Sequence, residues 1–295
     1  FNPEKLIRPN IKQLIPYSCA RDEFQGKAAV FLDANENPFG NLNRYPDPYQ
    51  RELKVEISKL KGVPVENIFL GNGSDEIIDL CFRILCNPGT DKALVMSPSY
   101  GMYEVLASVN DVDIIKIPLN EKFGIDYDPV KSRMEDNTLK MIIICSPNNP
   151  TGNCIERSII ERILSDFNGV LLLDEAYIDF ANQPSMKDSI KKFPNLIVMQ
   201  TFSKAFGLAS VRVGFAFAND QIINYFNKVK PPYNISKLNQ EAVLRKLKNI
   251  GTYVSQVAKI KAERDRLSLE IAKLSFVVKV YHSDANFILV RMKDA

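Results

Sequence analysis

One segment of the chain reads Thr201-Phe-Ser-Lys-Ala-Phe-Gly-Leu-Ala-Ser-Val-Arg-Val-Gly214 and follows directly on the apolar run Asn195-Leu-Ile-Val-Met-Gln-Thr201. An apolar run without polar alternation is typical of a strand buried on both faces of a parallel sheet. Lys204 comes just after this predicted strand and is followed by apolar residues. Because desolvation disfavours an ammonium, we expect Lys204 to be a reactive amine that can form a Schiff base with an aldehyde.

Comparable apolar runs occur on both sides of this strand. Segments with helical spacing separate several of them, most clearly at 156–167, and a helix with apolar positions Leu53, Ile57 and Leu60 ends at Gly62. Strands that alternate with helices indicate a mainly parallel sheet covered by helices on both faces. The sequence therefore predicts an α/β fold with seven strands, at 67–71, 93–97, 113–118, 140–146, 169–174, 195–201 and 212–218.

The character of the chain changes after Pro231-Pro232. A long charged helical region, 236–274, is followed by two runs with the pattern of strands, 276–281 and 286–291. Since two strands do not close a stable domain by themselves, we expect a second, smaller α+β domain that is incomplete at the C-terminus. The predicted parts are an N-terminal arm (1–29), a large domain (30–234) and the start of a truncated small C-terminal domain (235–295).

Composition and charge argue against several classes of protein. Hydrophobic residues make up 45% of the 295 positions, enough for a sizeable core, and a net charge of +3 is too small for a nucleic-acid or membrane surface. The longest apolar runs are far too short to span a bilayer. Five cysteines without a CxxC pair and a single histidine offer little to a metal. We expect no metal site, and reduced thiols in a cytoplasmic protein.

In a parallel sheet, ligands bind beyond the carboxyl ends of the strands, and the unusual residues of this chain follow predicted strands. Gly71-Asn-Gly-Ser-Asp-Glu76 ends one strand and opens a helix. The backbone amides of Gly73, Ser74 and Asp75 could bind a phosphate at the helix N-terminus. Alternatively, Ser74 could simply cap the helix. This segment alone leaves both interpretations open.

Two further strand ends carry polar side chains. Ser146-Pro-Asn-Asn-Pro-Thr-Gly152 holds two asparagines in a rigid loop, where an amide could reach a ring oxygen or the loop could be a simple turn. Asp174-Glu-Ala-Tyr177 follows an apolar strand. A carboxylate at that position needs a cation, which could be a protonated pyridine nitrogen or an arginine in a structural ion pair.

Considered together, the polar residues at the ends of the predicted strands favour one ligand. They offer an amine for an aldehyde, a partner for a ring nitrogen, partners for a ring oxygen, and hydroxyl and guanidinium groups for a phosphate. Pyridoxal 5'-phosphate (PLP) combines all of these groups in one molecule. We therefore predict a PLP site formed by Asn149, Asp174, Tyr177, Ser203, Lys204 and Arg212.

The chain also carries an ordered series of motifs. They are Asn35-Glu-Asn-Pro38, Asn43-Arg-Tyr-Pro46, Gly73-Ser-Asp-Glu76, Tyr100-Gly-Met-Tyr103, Ser146-Pro-Asn-Asn-Pro-Thr-Gly152, Asp174-Glu-Ala-Tyr177 and Ser203-Lys-Ala-Phe206. This series resembles the fold-type I PLP-dependent aminotransferases, and most closely the histidinol-phosphate aminotransferases. The resemblance covers nearly the whole chain and implies the fold-type I PLP-dependent transferase fold.

The resemblance implies a role for each matching residue. Lys204 would bind PLP covalently and move a proton between the substrate α-carbon and cofactor C4′, while Asp174 would keep the pyridine nitrogen protonated. Tyr45 would reach the phosphate of a neighbouring subunit, which implies a homodimer. Asn149 and Tyr177 would bind the ring oxygen, and Tyr100 would stack on the ring face. The phosphate would be bound by Gly73, Ser74, Asp75, Thr201, Ser203 and Arg212. The substrate would be bound by Tyr17, Asn35 and Tyr233.

The implied reaction transfers an amino group between L-histidinol phosphate and 2-oxoglutarate in histidine biosynthesis. A threonine-phosphate decarboxylase, an aromatic amino acid aminotransferase and a non-catalytic binding module on the same scaffold are alternatives. Family members carry substrate-binding arginines later in the small domain, and Arg291 lies too early to be one of them. A P-loop or Rossmann nucleotide site is disfavoured, because the sequence has no GxxxxGK[ST] and no GxGxxG after a strand.

Overall fold

A computed structural model describes residues 3–17 and 32–293 of the chain. Much of the predicted N-terminal arm, with Cys19, lies outside the described residues, and so does Phe31. The four cysteines within them, Cys81, Cys86, Cys145 and Cys154, are free thiols.

Within residues 32–293, seven strands form one sheet in the order β1-β7-β6-β5-β4-β2-β3. Strand β7 runs antiparallel to both of its neighbours, and the remaining pairs are parallel. The predicted mainly parallel α/β fold is confirmed. The strands are β1 (Ile68–Asn72), β2 (Lys92–Ser97), β3 (Asp113–Pro118), β4 (Leu139–Cys145), β5 (Val170–Asp174), β6 (Leu196–Thr201) and β7 (Val213–Phe217).

The central strands are buried on both faces, which explains their lack of polar alternation. In β4, Met141 and Ile143 belong to one buried hydrophobic cluster, while Ile142 and Ile144 belong to another. Successive side chains of a strand point to opposite faces, so the two clusters lie on opposite sides of the sheet. Each cluster also takes in helix residues, so the sheet is a middle layer between two layers of helices.

The helices that cover the sheet are amphipathic. Leu53, Ile57 and Ile160 pack in the cluster that contains Ile142 and Ile144. Ile77 and Phe226 pack in the cluster that contains Met141 and Ile143. The α-helices of the described chain are α1 (Pro9–Gln13), α2 (Arg51–Lys61), α3 (Ser74–Leu85), α4 (Met102–Val109), α5 (Tyr127–Lys131), α6 (Arg157–Asp166), α7 (Asp220–Val229), α8 (Lys237–Leu247) and α9 (Ile250–Ile271). Short 3-10 helices occur at Pro3–Lys5, Val65–Asn67, Ile178–Phe180, Met186–Lys191 and Ala209–Val211. No helix in this part of the chain is both long and apolar enough to cross a membrane.

After α9, a separate two-stranded antiparallel sheet consists of β8 (Val277–Val280) and β9 (Val290–Met292). The second strand is shorter than the predicted run 286–291. Ser283 donates a hydrogen bond from Oγ to the carbonyl oxygen of Phe287 at 2.6 Å, and the Phe287 ring packs edge-on against Tyr177 at 5.1 Å. Phe287 therefore contacts a loop of the large sheet, whereas Leu289 accepts a backbone hydrogen bond from Tyr281, directly after β8.

One edge of the large sheet gathers the predicted site residues. Cys145, Asp174 and Met199 are in register across β4, β5 and β6, and Thr201 pairs with Gly214 of β7. Because β7 is antiparallel, its first residues lie at the same edge as the last residues of the parallel strands. This orientation explains how Arg212, which precedes β7 instead of following a strand, reaches the site.

Candidate active site

A cavity of about 150 Å³ opens at the carboxyl edge of the sheet. Ten of the sequence-predicted residues line it: Ser74, Asp75, Tyr100, Asn149, Asp174, Tyr177, Thr201, Ser203, Lys204 and Arg212. Cys145, Ala176 and Ala209 complete the lining, and Gly73 directly precedes Ser74. Since these residues follow the carboxyl ends of five strands or, for Arg212, precede β7, the fold is what brings them together.

Asp174 is a buried carboxylate in the wall of this cavity. It is 4% exposed, Oδ1 accepts a hydrogen bond from the Ala176 amide at 2.9 Å, and Oδ2 accepts one from the Tyr103 hydroxyl at 2.6 Å. Burial raises the pKa of Asp174 above its ordinary value, although both hydrogen bonds lower it. Among the described residues, no cationic side chain forms an ion pair with Asp174. A structural ion pair with arginine, one of the two interpretations of this carboxylate, is therefore not what the structure contains.

Lys204 lies at the mouth of the cavity, with Nζ 5.2 Å from the centre of the Tyr177 ring. Its side chain is exposed, so the expectation of a lysine desolvated by apolar neighbours is wrong. Strand β6 ends at Thr201, and in the loop that follows Phe202, Ala205 and Phe206 are buried while the Lys204 side chain faces solvent. Beneath it, burial, with smaller contributions from Cys145 and Asp174, raises the pKa of Tyr177 to about 12.

The opposite end of the cavity is formed by the start of α3. Gly73, not Ser74, is the N-cap residue, and no side chain caps the helix, so the expected capping role of Ser74 is wrong. The first amides of a 12-residue helix are thus left to bind an anion. Arg212 lies beside them, its Nη2 3.3 Å from Asp75 Oδ2, and its backbone is in the left-handed region with φ of 52°. Thr201 Oγ1 accepts a hydrogen bond from the Ser203 amide at 3.0 Å.

Two glycines keep this end of the cavity open. Gly73 has φ of 78° and ψ of 168°, a region that essentially only glycine adopts, and an added Cβ would lie 2.6 Å from Arg212 Nη2. A Cβ on Gly214 would lie 2.5 Å from the backbone nitrogen of Ser74. The first contact is with the end of a flexible side chain, whereas the second is with fixed backbone.

We expect the two glycine substitutions to have different effects. Gly73→Ala should strain the backbone at the start of α3 and push the Arg212 guanidinium aside, so we expect it to weaken binding of PLP about tenfold or more through loss of a charge-assisted hydrogen bond. Gly214→Ala should instead lower the free energy of unfolding by about 1–3 kcal/mol through overpacking. The measurements are cofactor titration and urea unfolding. The control is Gly251→Ala, whose Cβ meets nothing within 4 Å; equal effects of all three substitutions would contradict this account.

The two asparagines of the loop after β4 have different environments. Asn148 is buried; its Oδ1 accepts from Ser99 Oγ at 2.8 Å, and its Nδ2 donates to Thr151 Oγ1 at 2.8 Å. Asn149 lines the cavity. Asn148 therefore fixes the loop, and Asn149 is the one whose amide can meet a ligand. Across the cavity, burial, reinforced by Asp75, raises the pKa of Tyr100 to about 12.

Four sequence-predicted residues lie away from this cavity. Asn35, Tyr45 and Tyr233 line a second cleft of about 590 Å³, in which the rings of Tyr45 and Tyr233 stack with centroids 4.4 Å apart. Tyr17 is 74% exposed and lies beside Tyr49. Within one chain, the structure does not bring any of these four side chains to the cavity.

Tyr103 and Cys145 are two residues of the site that the sequence did not single out. Tyr103 hydrogen-bonds to Asp174, and Cys145 lines the cavity with Sγ 3.3 Å from the Pro147 carbonyl oxygen. The repeat of tyrosines in Tyr100-Gly-Met-Tyr103 was the available signal: Tyr100 precedes α4, and its ring packs edge-on against Tyr103 at 5.5 Å. Among the described residues, no group of three or more histidine, cysteine or acidic side chains is arranged to hold a metal.

Comparison with known proteins identifies relatives. The aminotransferase class I and II family model matches residues 21–295. The histidinol-phosphate aminotransferase of Cytophaga hutchinsonii is 50% identical over 299 aligned residues, which cover 100% of this chain and 86% of that protein.

Solved structures of similar fold include the histidinol-phosphate aminotransferase from Clostridium acetobutylicum, with a TM-score of 0.77 and 31% identity over 86% of this chain and 76% of that one. L-threonine-O-3-phosphate decarboxylase from Porphyromonas gingivalis, with a TM-score of 0.73 and 23% identity, covers 86% of this chain and 80% of its own and shares the fold. From the family match and the identity to curated relatives, the chain belongs to the class I and II aminotransferase family.

Proposed function

We propose that this protein is a PLP-dependent aminotransferase that transfers an amino group between L-histidinol phosphate and 2-oxoglutarate in histidine biosynthesis. One observation carries the proposal: Asp174 is a buried carboxylate in the cavity wall and has no ion-pair partner among the described residues. A buried carboxylate is costly unless a cation compensates it, and a protonated pyridine nitrogen is such a cation. The 50% identity to a histidinol-phosphate aminotransferase supports the same cofactor and substrate.

The groups around the cavity fit PLP. Lys204 provides an amine for the aldehyde, Asp174 a carboxylate for the ring nitrogen, and Asn149 with Tyr177 polar groups for the ring oxygen. The phosphate would be held by the first amides of α3, by the hydroxyls of Thr201 and Ser203, and by Arg212. When bound, PLP supplies an electron-accepting ring for the negative charge that develops at the substrate α-carbon.

The side chains of this chain then have separate tasks. Lys204, which lines the cavity, would take the proton from the substrate α-carbon and return it to the carbon of the cofactor that receives it. Asp174 holds the proton at the ring nitrogen, so that the ring stays electron-poor. Arg212 and the start of α3 fix the phosphate, which orients the reacting carbon toward Lys204. Tyr100 borders the cavity between these two ends.

The alternatives predict different products. With L-histidinol phosphate and 2-oxoglutarate we expect glutamate, at a kcat/KM about 100-fold or more above that for L-phenylalanine, because a phosphate-binding site discriminates strongly against a donor that lacks the group. Glutamate and CO2 release should be measured with L-histidinol phosphate, L-threonine phosphate and L-phenylalanine in turn. CO2 from threonine phosphate, or glutamate chiefly from phenylalanine, would overturn the substrate assignment. PLP binding without any product would indicate a non-catalytic module.

We also propose a homodimer in which Tyr45 of one subunit completes the cavity of the other. The Tyr45 backbone nitrogen donates to Glu36 Oε1 at 2.6 Å, and its ring stacks on Tyr233, so the side chain is held in the second cleft and not in the cavity of its own chain. Its ring is half-exposed and available to another subunit. Asn35 and Tyr233, in the same cleft, would then act on the neighbour's substrate, and we assign Tyr17 to the substrate site as well.

Mixing two inactive variants tests the shared site. We expect Tyr45→Ala and Lys204→Ala proteins, unfolded and reassembled together, to recover about one quarter of wild-type activity, because half of the dimers are mixed and each has one intact site. The measurement is glutamate formation against the mixing ratio, with each variant reassembled alone as the control. No recovery above the sum of the two separate activities would contradict the proposal.

We further propose a division of the chain into the arm 1–29, a cofactor domain 30–234 and a small domain that begins at 235. A cytoplasmic location is proposed as well. It is supported by the free thiols of Cys81, Cys86, Cys145 and Cys154, which are typical of a reducing compartment.

A further inference from the structure

Tyr103, which hydrogen-bonds to Asp174, has no role in the reaction proposed above. Tyr103 lies on α4 and is 1% exposed, and its hydroxyl donates to Asp174 Oδ2 at 2.6 Å across 71 positions of sequence. It does not belong to the residues that line the cavity. Tyr103 therefore acts on a ligand only through neighbours that line the cavity, which are Asp174, Cys145 and Tyr100, whose ring packs edge-on at 5.5 Å. Of these, Asp174 is the one whose carboxylate its hydroxyl holds.

Within the described part of the chain, Tyr103 is the one side chain that hydrogen-bonds to Asp174. The other bond, from the Ala176 amide to Oδ1, belongs to the backbone and fixes only one oxygen. With Tyr103 on Oδ2, both oxygens are anchored on the protein side, and the carboxylate has a defined orientation at the cavity wall. A rotamer held at both oxygens loses little freedom when a ligand binds.

The electrostatic balance at Asp174 depends on this hydroxyl. Burial is the largest influence and raises the pKa of Asp174, whereas the Tyr103 hydrogen bond is the largest opposing one. Burial and the adjacent Asp174 hold the pKa of Tyr103 well above its ordinary value, so the phenol keeps its proton and stays a donor. The other titratable groups that influence Asp174 or are influenced by it are Asp75, Tyr100, Cys145, Tyr177 and Lys204.

We propose that Tyr103 is a positioning residue that keeps Asp174 ionised and directed at the ring nitrogen of the cofactor. This inference rests on the proposed function, because it assigns that nitrogen to Asp174. Tyr103 touches neither substrate nor cofactor. Its contribution is to preserve the negative charge that a protonated ring nitrogen requires in a buried site.

The test uses Tyr103→Phe, which removes one oxygen and keeps the buried ring. Cofactor-free protein is titrated with pyridoxamine 5'-phosphate, which binds without a covalent bond to Lys204. We expect the Kd to rise about tenfold or more, as for loss of a hydrogen bond to a charged group. The rise should be larger at pH 6 than at pH 8, because loss of the bond favours protonation of Asp174 as the pH falls. Tyr127→Phe is the control, since Tyr127 is also buried and donates to an aspartate, Asp166, remote from the cavity.

The same substitution in an Asp174→Asn background separates positioning from packing. If Tyr103 acts through the charge of Asp174, Tyr103→Phe should change the Kd less than about twofold in that background. An equal rise in both backgrounds, or a rise with no pH dependence, would overturn the inference while leaving the proposed function in place. Failure of the wild-type protein to bind pyridoxamine 5'-phosphate would instead contradict the proposed function itself.

Discussion

Replacing Lys204 with alanine should abolish transamination while leaving the fold intact. The substitution removes both the amine that binds the aldehyde and the group that moves the proton, so kcat should fall about 10⁴-fold or more. Lys204 is exposed, and its described contact is with the Tyr177 ring. Loss of an exposed side chain changes the free energy of unfolding by no more than about 0.5 kcal/mol.

Both parts of this expectation can be measured on one preparation. Turnover with L-histidinol phosphate and 2-oxoglutarate is compared with urea unfolding of the same variant. Lys59→Ala serves as the control, because Lys59 is exposed on α2 and pairs only with Glu56 on the surface. Appreciable turnover by Lys204→Ala would exclude the mechanism, and an unfolded variant would exclude the assignment of Lys204 to the mouth of the cavity.

The second large effect is expected for Asp174→Asn. An amide cannot compensate a protonated ring nitrogen, and breaking a buried ion pair at one partner costs about 3–5 kcal/mol, so kcat should fall about 10²- to 10⁴-fold. The fall should persist at saturating PLP, because the ring would be bound but less electron-accepting. A variant with near wild-type turnover would show that Asp174 does not hold the ring nitrogen.

The same substitution should stabilise the cofactor-free protein at neutral pH. Burial raises the pKa of Asp174 in the folded state, so the ionised carboxylate opposes folding above that pKa, and the penalty disappears below about pH 4, where the unfolded chain also binds the proton. Asp174→Asn should therefore raise the free energy of unfolding at pH 7 but not at pH 3.5. Urea unfolding at both pH values checks this. A variant less stable than wild type at pH 7 would mean that a cation already compensates Asp174.

Much of the fold could be predicted because a strand that is buried on both faces appears in the sequence as an uninterrupted run of apolar residues. In β4, four successive apolar residues from Met141 to Ile144 fill two clusters on opposite faces. A short run of this kind, rich in β-branched isoleucine, favours a strand buried on both faces over a buried helix. The orientation of β7 could not be predicted, because an apolar strand reads alike in both directions. That orientation is nonetheless what brings Arg212 to the site.

The site residues could be predicted as a group because polar residues at the ends of buried strands have few other uses. The sequence could not predict how exposed each of these side chains is, or which distant residues it contacts. Lys204 was expected to be buried and is exposed, because burial depends on where the chain turns after Thr201. Ser74 was considered as a possible cap, but Gly73 is the N-cap residue and Ser74 is the first residue of the helix. Tyr103 was missed because its partner, Asp174, is 71 positions away.

The most direct test of the central claim is the visible absorption spectrum of the protein with PLP, recorded before and after L-histidinol phosphate is added. We expect a band from PLP bound to Lys204 that disappears with L-histidinol phosphate and returns when 2-oxoglutarate is added. A band that ignores L-histidinol phosphate but responds to threonine phosphate or phenylalanine would retain PLP and contradict the substrate. Absence of any band from bound PLP would contradict the assignment of Lys204 and with it the whole account.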